Sequence, residues 1–217
     1  MRTFALIAAL ALPIIALPIL ALPGLAAAQD VAGRFDYYLL SLSWSPSWCQ
    51  AEGEADGQCA PGKRIGFVVH GLWPQYENGW PQDCRGASGD PARRETRAMA
   101  DVMGSPGLAW YQWKKHGRCS GLTAADYFAL TRKAAEATVI PDVLRRLGRD
   151  VTLPATVVED AFIAANPALS RDGITVTCRD RALQEVRICL TKDLHPRSCA
   201  PDARRDCSGS FLMAAPR

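Results

Sequence analysis

Two histidines in similar settings are the residues best suited to proton-transfer chemistry. His70 lies in Phe67-Val68-Val69-His70-Gly71-Leu72-Trp73-Pro74-Gln75, and His116 lies in Tyr111-Gln112-Trp113-Lys114-Lys115-His116-Gly117-Arg118-Cys119. The chain has only three histidines, and these two each sit among aromatic residues and directly before a glycine. An imidazole takes or gives a proton near neutral pH, so a pair facing each other across a cleft can serve both ends of one reaction. The third, His195, precedes Pro196 in a cysteine-rich segment without such a frame and is read as a surface structural residue.

No serine or cysteine is placed to act as a nucleophile, and no C-x-x-C pair or His/Cys cluster suggests a metal or other cofactor. The substrate must then bring its own nucleophile or use water. RNA does this with its 2′-hydroxyl: a base removes that proton, the oxygen attacks the adjacent phosphorus, and an acid protonates the departing 5′-oxygen. The extra charge on phosphorus needs fixed cations, and Lys115 and Lys114 stand beside His116. On a helix, Gln112 and His116 share one face, Trp113 lies on the neighbouring row, and Lys115 is about 100° round from His116. Nearby cations should also favour a neutral imidazole at His116, as suits a base.

These groups need elements to hold them. Phe35 to Trp44 reads as one strand and Arg64 to Val69 as a second, which delivers His70 into a Gly/Pro-marked turn and a long loop, Gly71 to Gly89, carrying Trp73, Tyr76 and Trp80. Aromatics in a polar loop suit base stacking. Cys49 to Gly62 reads as loop. Asp90-Pro91 opens a helix to about Met103, and Leu108 to His116 forms a short helix closed by Gly117. The Thr123-to-Asp126 capping pattern opens another to about Thr138; further helices start at Pro141 and Thr156. Ile174 to Cys178 and Glu185 to Leu190 read as paired strands. With no repeat and no linker, one α+β domain accounts for the chain.

Residues 1 to 28 have the plan of a signal peptide: Arg2, then a proline-broken apolar run, then Ala26-Ala27-Ala28. The exported domain is residues 29 to 217. All eight cysteines fall within it, an even count that suits disulfides in an oxidising compartment, although spacing alone leaves the pairing open. The net charge of +3, reduced by one when Arg2 is removed, is too small to mark an obligate nucleic-acid binder. The one cationic cluster set beside chemistry is Lys114, Lys115 and Arg118; the arginines at 93, 94 and 97 and at 145, 146 and 149 read as solvated helix faces.

The two histidine segments resemble the active-site segments of the ribonuclease T2 family of exported endoribonucleases. Leu40 to Cys49 resembles that family's first strand and following turn, and Gly79 to Cys84 its loop cysteine, so the resemblance spans about Phe35 to Cys207. It implies an antiparallel sheet with helices packed against it, stapled by disulfides Cys49–Cys59, Cys84–Cys119, Cys178–Cys207 and Cys189–Cys199. It also implies His70 as general acid, His116 as general base and Lys115 as the phosphate-stabilising lysine, with Trp73, Gln75, Tyr76, Tyr111, Trp113 and Lys114 around the substrate. Gln112 stands where many members carry a catalytic glutamate, and Tyr111 where some carry a third histidine. The expected activity is metal-independent cleavage of single-stranded RNA by a monomer with no cofactor, free of the membrane once the signal peptide is removed, in a periplasm or outside the cell. A rival reading is an exported binding protein that keeps the cleft but no longer turns over.

Overall fold

A computed structural model describes residues 30–52, 57–85 and 88–217. The signal-peptide expectation for residues 1 to 28 lies outside the described residues. The architecture is α+β, organised around strand β1 (Tyr37–Trp44). Alternation along β1 sends Tyr38, Leu40, Leu42 and Trp44 into the main core and leaves Tyr37, Leu39, Ser41 and Ser43 on the opposite face. The sheet adds β2 (Phe67–Gln75), β3 (Val151–Pro154), β4 (Ile174–Arg179), β5 (Ala182–Leu190) and β6 (Ser210–Met213), in the order β2-β1-β5-β6-β3 with β4 also pairing β5. Pairing is antiparallel except for a single parallel contact, Ala182 with Leu212, between β5 and β6.

Helices α1 (Ser45–Glu52), α2 (Arg93–Ala98), α3 (Ala100–Met103), α4 (Pro106–Lys115), α5 (Ala124–Ala137), α6 (Asp142–Arg145) and α7 (Ala155–Ala165) surround the sheet. From α5, Tyr127 and Phe128 pack with Trp113 of α4, and the Tyr127 hydroxyl donates to the Leu72 carbonyl at 3.0 Å, fixing helix to strand. From α7, Phe162 meets Phe67 of β2 edge-on at 5.6 Å. Disulfides join Cys49 to Cys59, Cys84 to Cys119, Cys178 to Cys207 and Cys189 to Cys199.

Several boundaries differ from the sequence expectations for physical reasons. Strand β2 does not stop at Val69 but continues through Gln75, because Tyr37 to Ser41 of β1 offer it partners all the way. The segment after Cys49 is partly helical, α1 continuing to Glu52. Asp90 does not cap a helix; its carboxylate pairs with Arg118, and α2 starts at Arg93 with the Glu95 side chain accepting from the Ala92 N–H at 2.6 Å. Helix α4 starts two residues early because the Ser105 hydroxyl accepts from the Leu108 N–H and Pro106 pre-sets the first turn. The four-residue strands β3 and β6 were not foreseen; each is too short to show a period, and they pair with each other.

Candidate active site

His70 owes its position to a β-bulge. Ser41 pairs with Gly71 and Leu42 with Val69, so His70 is the extra residue of β2, and a bulge turns its side chain out of the normal alternation. Gly71 then serves for close approach rather than for a turn: a Cβ there would lie 2.3 Å from Trp73 Nε1 and 2.8 Å from Gln112 Oε1. In its absence Trp73 Nε1 donates to Gln112 Oε1 at 2.7 Å, linking β2 to α4.

His116 caps the C-terminus of α4, its N–H bonded to the Gln112 carbonyl at 2.9 Å. Gly117 follows because a Cβ would come within 2.7 Å of the Trp113 ring and 2.8 Å of Tyr127. The Trp73 indole meets both imidazoles, stacking on His116 with centroids 5.0 Å apart and presenting a T-shaped contact to His70 at 5.2 Å. The loop beneath is tied to the same helix end by the Cys84–Cys119 bond and by the Asp83 N–H, which donates to the Lys115 carbonyl at 2.9 Å.

The two imidazoles sit in opposite surroundings. His116 is 6% exposed; burial pushes its pKa down, the charges of Lys115 and His70 push the same way against Glu185, and it falls to about 3. It is therefore neutral at ordinary pH. The side chain of His70 is 30% exposed, and its Nδ1 lies 2.5 Å from Glu185 Oε1. Burial pushes the Glu185 carboxyl up, but hydrogen bonds and charge from His70 and Arg187 outweigh it and hold it at about 2. Glu185 is thus an ionised carboxylate at the floor of the site.

These groups open on a cleft of about 1240 Å³ lined by His70, Trp73, Gln75, Gln112, Lys115 and His116, with Tyr111 and Trp80 at its walls. It continues past Glu185 to Arg179 at the end of β4 and Arg181 in the β4–β5 turn. Tyr111 is exposed, with Lys115 Nζ 5.7 Å from its ring centroid. Gln112 is 1% exposed and its carbonyl oxygen is taken by Trp73, so the amide serves to seat the indole. Gln75 lines the cleft but turns its amide N–H to the Pro74 carbonyl at 2.8 Å.

Three residues expected around the substrate are placed elsewhere. Trp113 is fully buried against Tyr127 and Phe128, because its row of α4 faces the core. Lys114 is exposed and does not line the cleft, since α4 carries it round to the solvent side. Tyr76 bonds Asp30 through its hydroxyl at 3.1 Å and also stands outside the cleft lining. Glu185, by contrast, was not anticipated. Its signal was an acid at the start of a strand, sharing a face with Arg187 by alternation, but nothing in the sequence shows that this face meets His70. Among the described residues no group of three or more His, Cys, Asp or Glu side chains is arranged to hold a metal ion.

The fold and the paired histidines define a disulfide-stapled α+β protein with two imidazoles on one cleft. The family model of the Ribonuclease T2 family matches residues 35–199. A ribonuclease of Aeromonas hydrophila is 36% identical over 170 residues, 76% of this chain and 76% of that protein. The RNase-related protein from Calystegia sepium has the same fold, with a TM-score of 0.67 at 22% identity, over 84% of this chain and 98% of its own. So does a variant of RNase MC1, an enzyme from bitter gourd seeds, in complex with 5′-UMP: TM-score 0.61, 22% identity, 82% of this chain and 98% of that one. The chain belongs to the ribonuclease T2 family and is a T2-type endoribonuclease.

Proposed function

We propose that the protein cleaves single-stranded RNA by 2′-hydroxyl transesterification, giving 2′,3′-cyclic phosphates and then 3′-phosphates. The observation that carries this reading is the Trp73 indole in contact with both imidazoles, one buried and neutral and the other paired with a carboxylate. Neutral His116 takes the proton from the 2′-hydroxyl. His70, held through Nδ1 by the Glu185 carboxylate, gives a proton to the departing 5′-oxygen. Lys115 places its ammonium by the charge that gathers on phosphorus. In the second step a water replaces the 2′-oxygen and the two histidines exchange roles, opening the cyclic phosphate.

Trp73, Trp80 and Tyr111 supply ring faces on the cleft, and stacking accepts any base, so broad base tolerance is expected. The chain works as a monomer, residues 29 to 217 forming one catalytic domain after removal of the signal peptide. Four disulfides suit a periplasm or the extracellular medium.

Incubating the oxidised protein with a defined oligoribonucleotide in EDTA tests this. Cyclic phosphates that convert to 3′-phosphates, and loss of cleavage in His70→Phe and His116→Phe, are expected. Binding without cleavage would point to a binding protein instead, and a requirement for a divalent ion would overturn the metal-independent chemistry.

A further inference from the structure

The Glu185 carboxylate lies outside both histidine motifs, yet its Oε1 stands 2.5 Å from His70 Nδ1. Reaching it takes a particular construction. His70 is on β2 and Glu185 on β5, two strands apart with β1 between, a separation of about 10 Å. On β1 the residues beneath that path are Ser41, paired with Gly71 and Arg187, and Ser43, paired with Val68 and Glu185. Both are small, so an imidazole and a carboxylate can meet above them. A bulge at His70 turns one partner. A second bulge, where Thr177 pairs with Glu185 and Cys178 with Leu183, leaves Gln184 as the extra residue beside the other.

The second carboxylate oxygen is occupied too. Glu185 Oε2 accepts from Arg187 Nε at 2.8 Å and lies 2.7 Å from Arg187 Nη2, and that guanidinium stands 5.5 Å from the Trp73 ring centroid. A carboxylate that is 2% exposed and held between an arginine and a histidine cannot rotate away. With Nδ1 turned to Glu185, the nitrogen of His70 left for the substrate is Nε2.

We propose that Glu185, anchored by Arg187, is the positioning residue for His70: it fixes the imidazole with Nδ1–H directed at the carboxylate, so that Nε2 is presented to the leaving oxygen. This rests on the ribonuclease reading above with His70 as the acid. It supplies, from the sheet, a carboxylate that the catalytic helix lacks at Gln112. The charged and titratable groups facing His70 are Glu185 and Arg187 from β5 and His116 and Lys115 from the end of α4. Among these Glu185 alone is an anion. Burial of the carboxylate strengthens the arrangement, since a charge-assisted hydrogen bond weakens when water competes for its acceptor.

The test compares Glu185→Gln with wild type on two substrates, the dinucleotide UpA and uridine 3′-(p-nitrophenyl phosphate), whose leaving group departs without an acid. On UpA, kcat falls about 10- to 100-fold while KM changes by less than about threefold. On the nitrophenyl ester, kcat stays within about threefold of wild type. Glu185→Asp, which keeps the charge but draws it back, gives intermediate rates on UpA. Equal losses on both substrates would make Glu185 a structural residue, and no loss on either would remove it from the reaction; each overturns the proposal. Wild type cleaving neither substrate would instead overturn the ribonuclease reading.

Should Glu185→Gln not fold, nitrogen-15 spectra of the histidines in the wild-type protein decide the matter. His70 in its neutral form carrying its proton on Nδ1 is expected. Its proton on Nε2 would refute the arrangement.

Discussion

Replacing Gly71 by alanine adds one methyl group at the point where Trp73 and Gln112 converge. The new Cβ would stand 2.3 Å from Trp73 Nε1 and 2.8 Å from both Trp73 Cδ1 and Gln112 Oε1, where unstrained heavy atoms keep about 3.5 Å or more. Trp73 must therefore shift by more than about 1 Å, and its 2.7 Å bond to Gln112 cannot survive that displacement. Overpacking of this kind costs about 1–3 kcal/mol, and a buried amide oxygen left without its donor costs about 1–3 kcal/mol more. For a chain of this size each kcal/mol lowers Tm by about 2–4 °C, so the combined cost of about 2–6 kcal/mol should lower it by roughly 4–24 °C. The stacking of Trp73 on His116 is disturbed at the same time, and a misplacement of about 1 Å in a catalytic group costs about 10²-fold in rate. Calorimetry and kcat on a dinucleotide measure both effects. In a Trp73→Phe background, where Nε1 is absent, the same substitution should cost less than half as much. A Gly71→Ala protein within about 2 °C and threefold of wild type would refute the close-approach reasoning.

Gln112→Glu places a carboxylate one helical turn from His116 and should raise the pKa of that imidazole, moving the acidic limb of kcat/KM up by about 1 pH unit or more; an unmoved limb would show that position 112 does not sense His116. Wild type should remain active at pH 4 to 5, because His116 stays neutral down to about 3; a rate that collapses near pH 6.5 would contradict this. Stability should fall with acid. The unfolded chain takes up a proton on His116 near 6.5 and on Glu185 near 4.5, whereas the folded state resists until about 3 and about 2, so each group contributes a loss of up to about 1.4 kcal/mol per pH unit as pH drops through its window. Urea titrations of wild type and His116→Asn between pH 7 and 4 should show the shallower slope in the variant. The double variant Cys84→Ser and Cys119→Ser should lose about 2–5 kcal/mol, and also rate, because that bond holds the loop against the end of α4 that carries Lys115 and His116.

Much of the site was legible because its chemistry is concentrated in two short segments. A histidine before a glycine, with a tryptophan nearby, could be read in each without knowing the fold, and helix geometry put Gln112 on the side of His116. The purpose of Gly71 was misread because glycine and proline usually mark turns; only the closeness of Trp73 and Gln112 shows that a strand continues there and needs the missing side chain. Trp113 was misplaced because a residue next to a catalytic row can as easily face the core, which Tyr127 and Phe128 decide from α5. The depression of the His116 pKa was foreseen from its lysine neighbours, but its largest cause is burial, which depends on how α4 meets β2. Glu185 depends on register across three strands and on two bulges. No local pattern carries that information, so a residue far along the chain from both motifs could be found only in the assembled sheet.

The claim that two histidines act at opposite ends of one phosphodiester is tested most directly by comparing His70→Phe and His116→Phe on RNA and on a 3′-nitrophenyl phosphate ester of uridine. Both variants should lose about 10²-fold or more on RNA. On the ester, which needs no acid, His70→Phe should recover to near the wild-type rate while His116→Phe stays inactive. Recovery of His116→Phe alone, or of neither, would contradict the account.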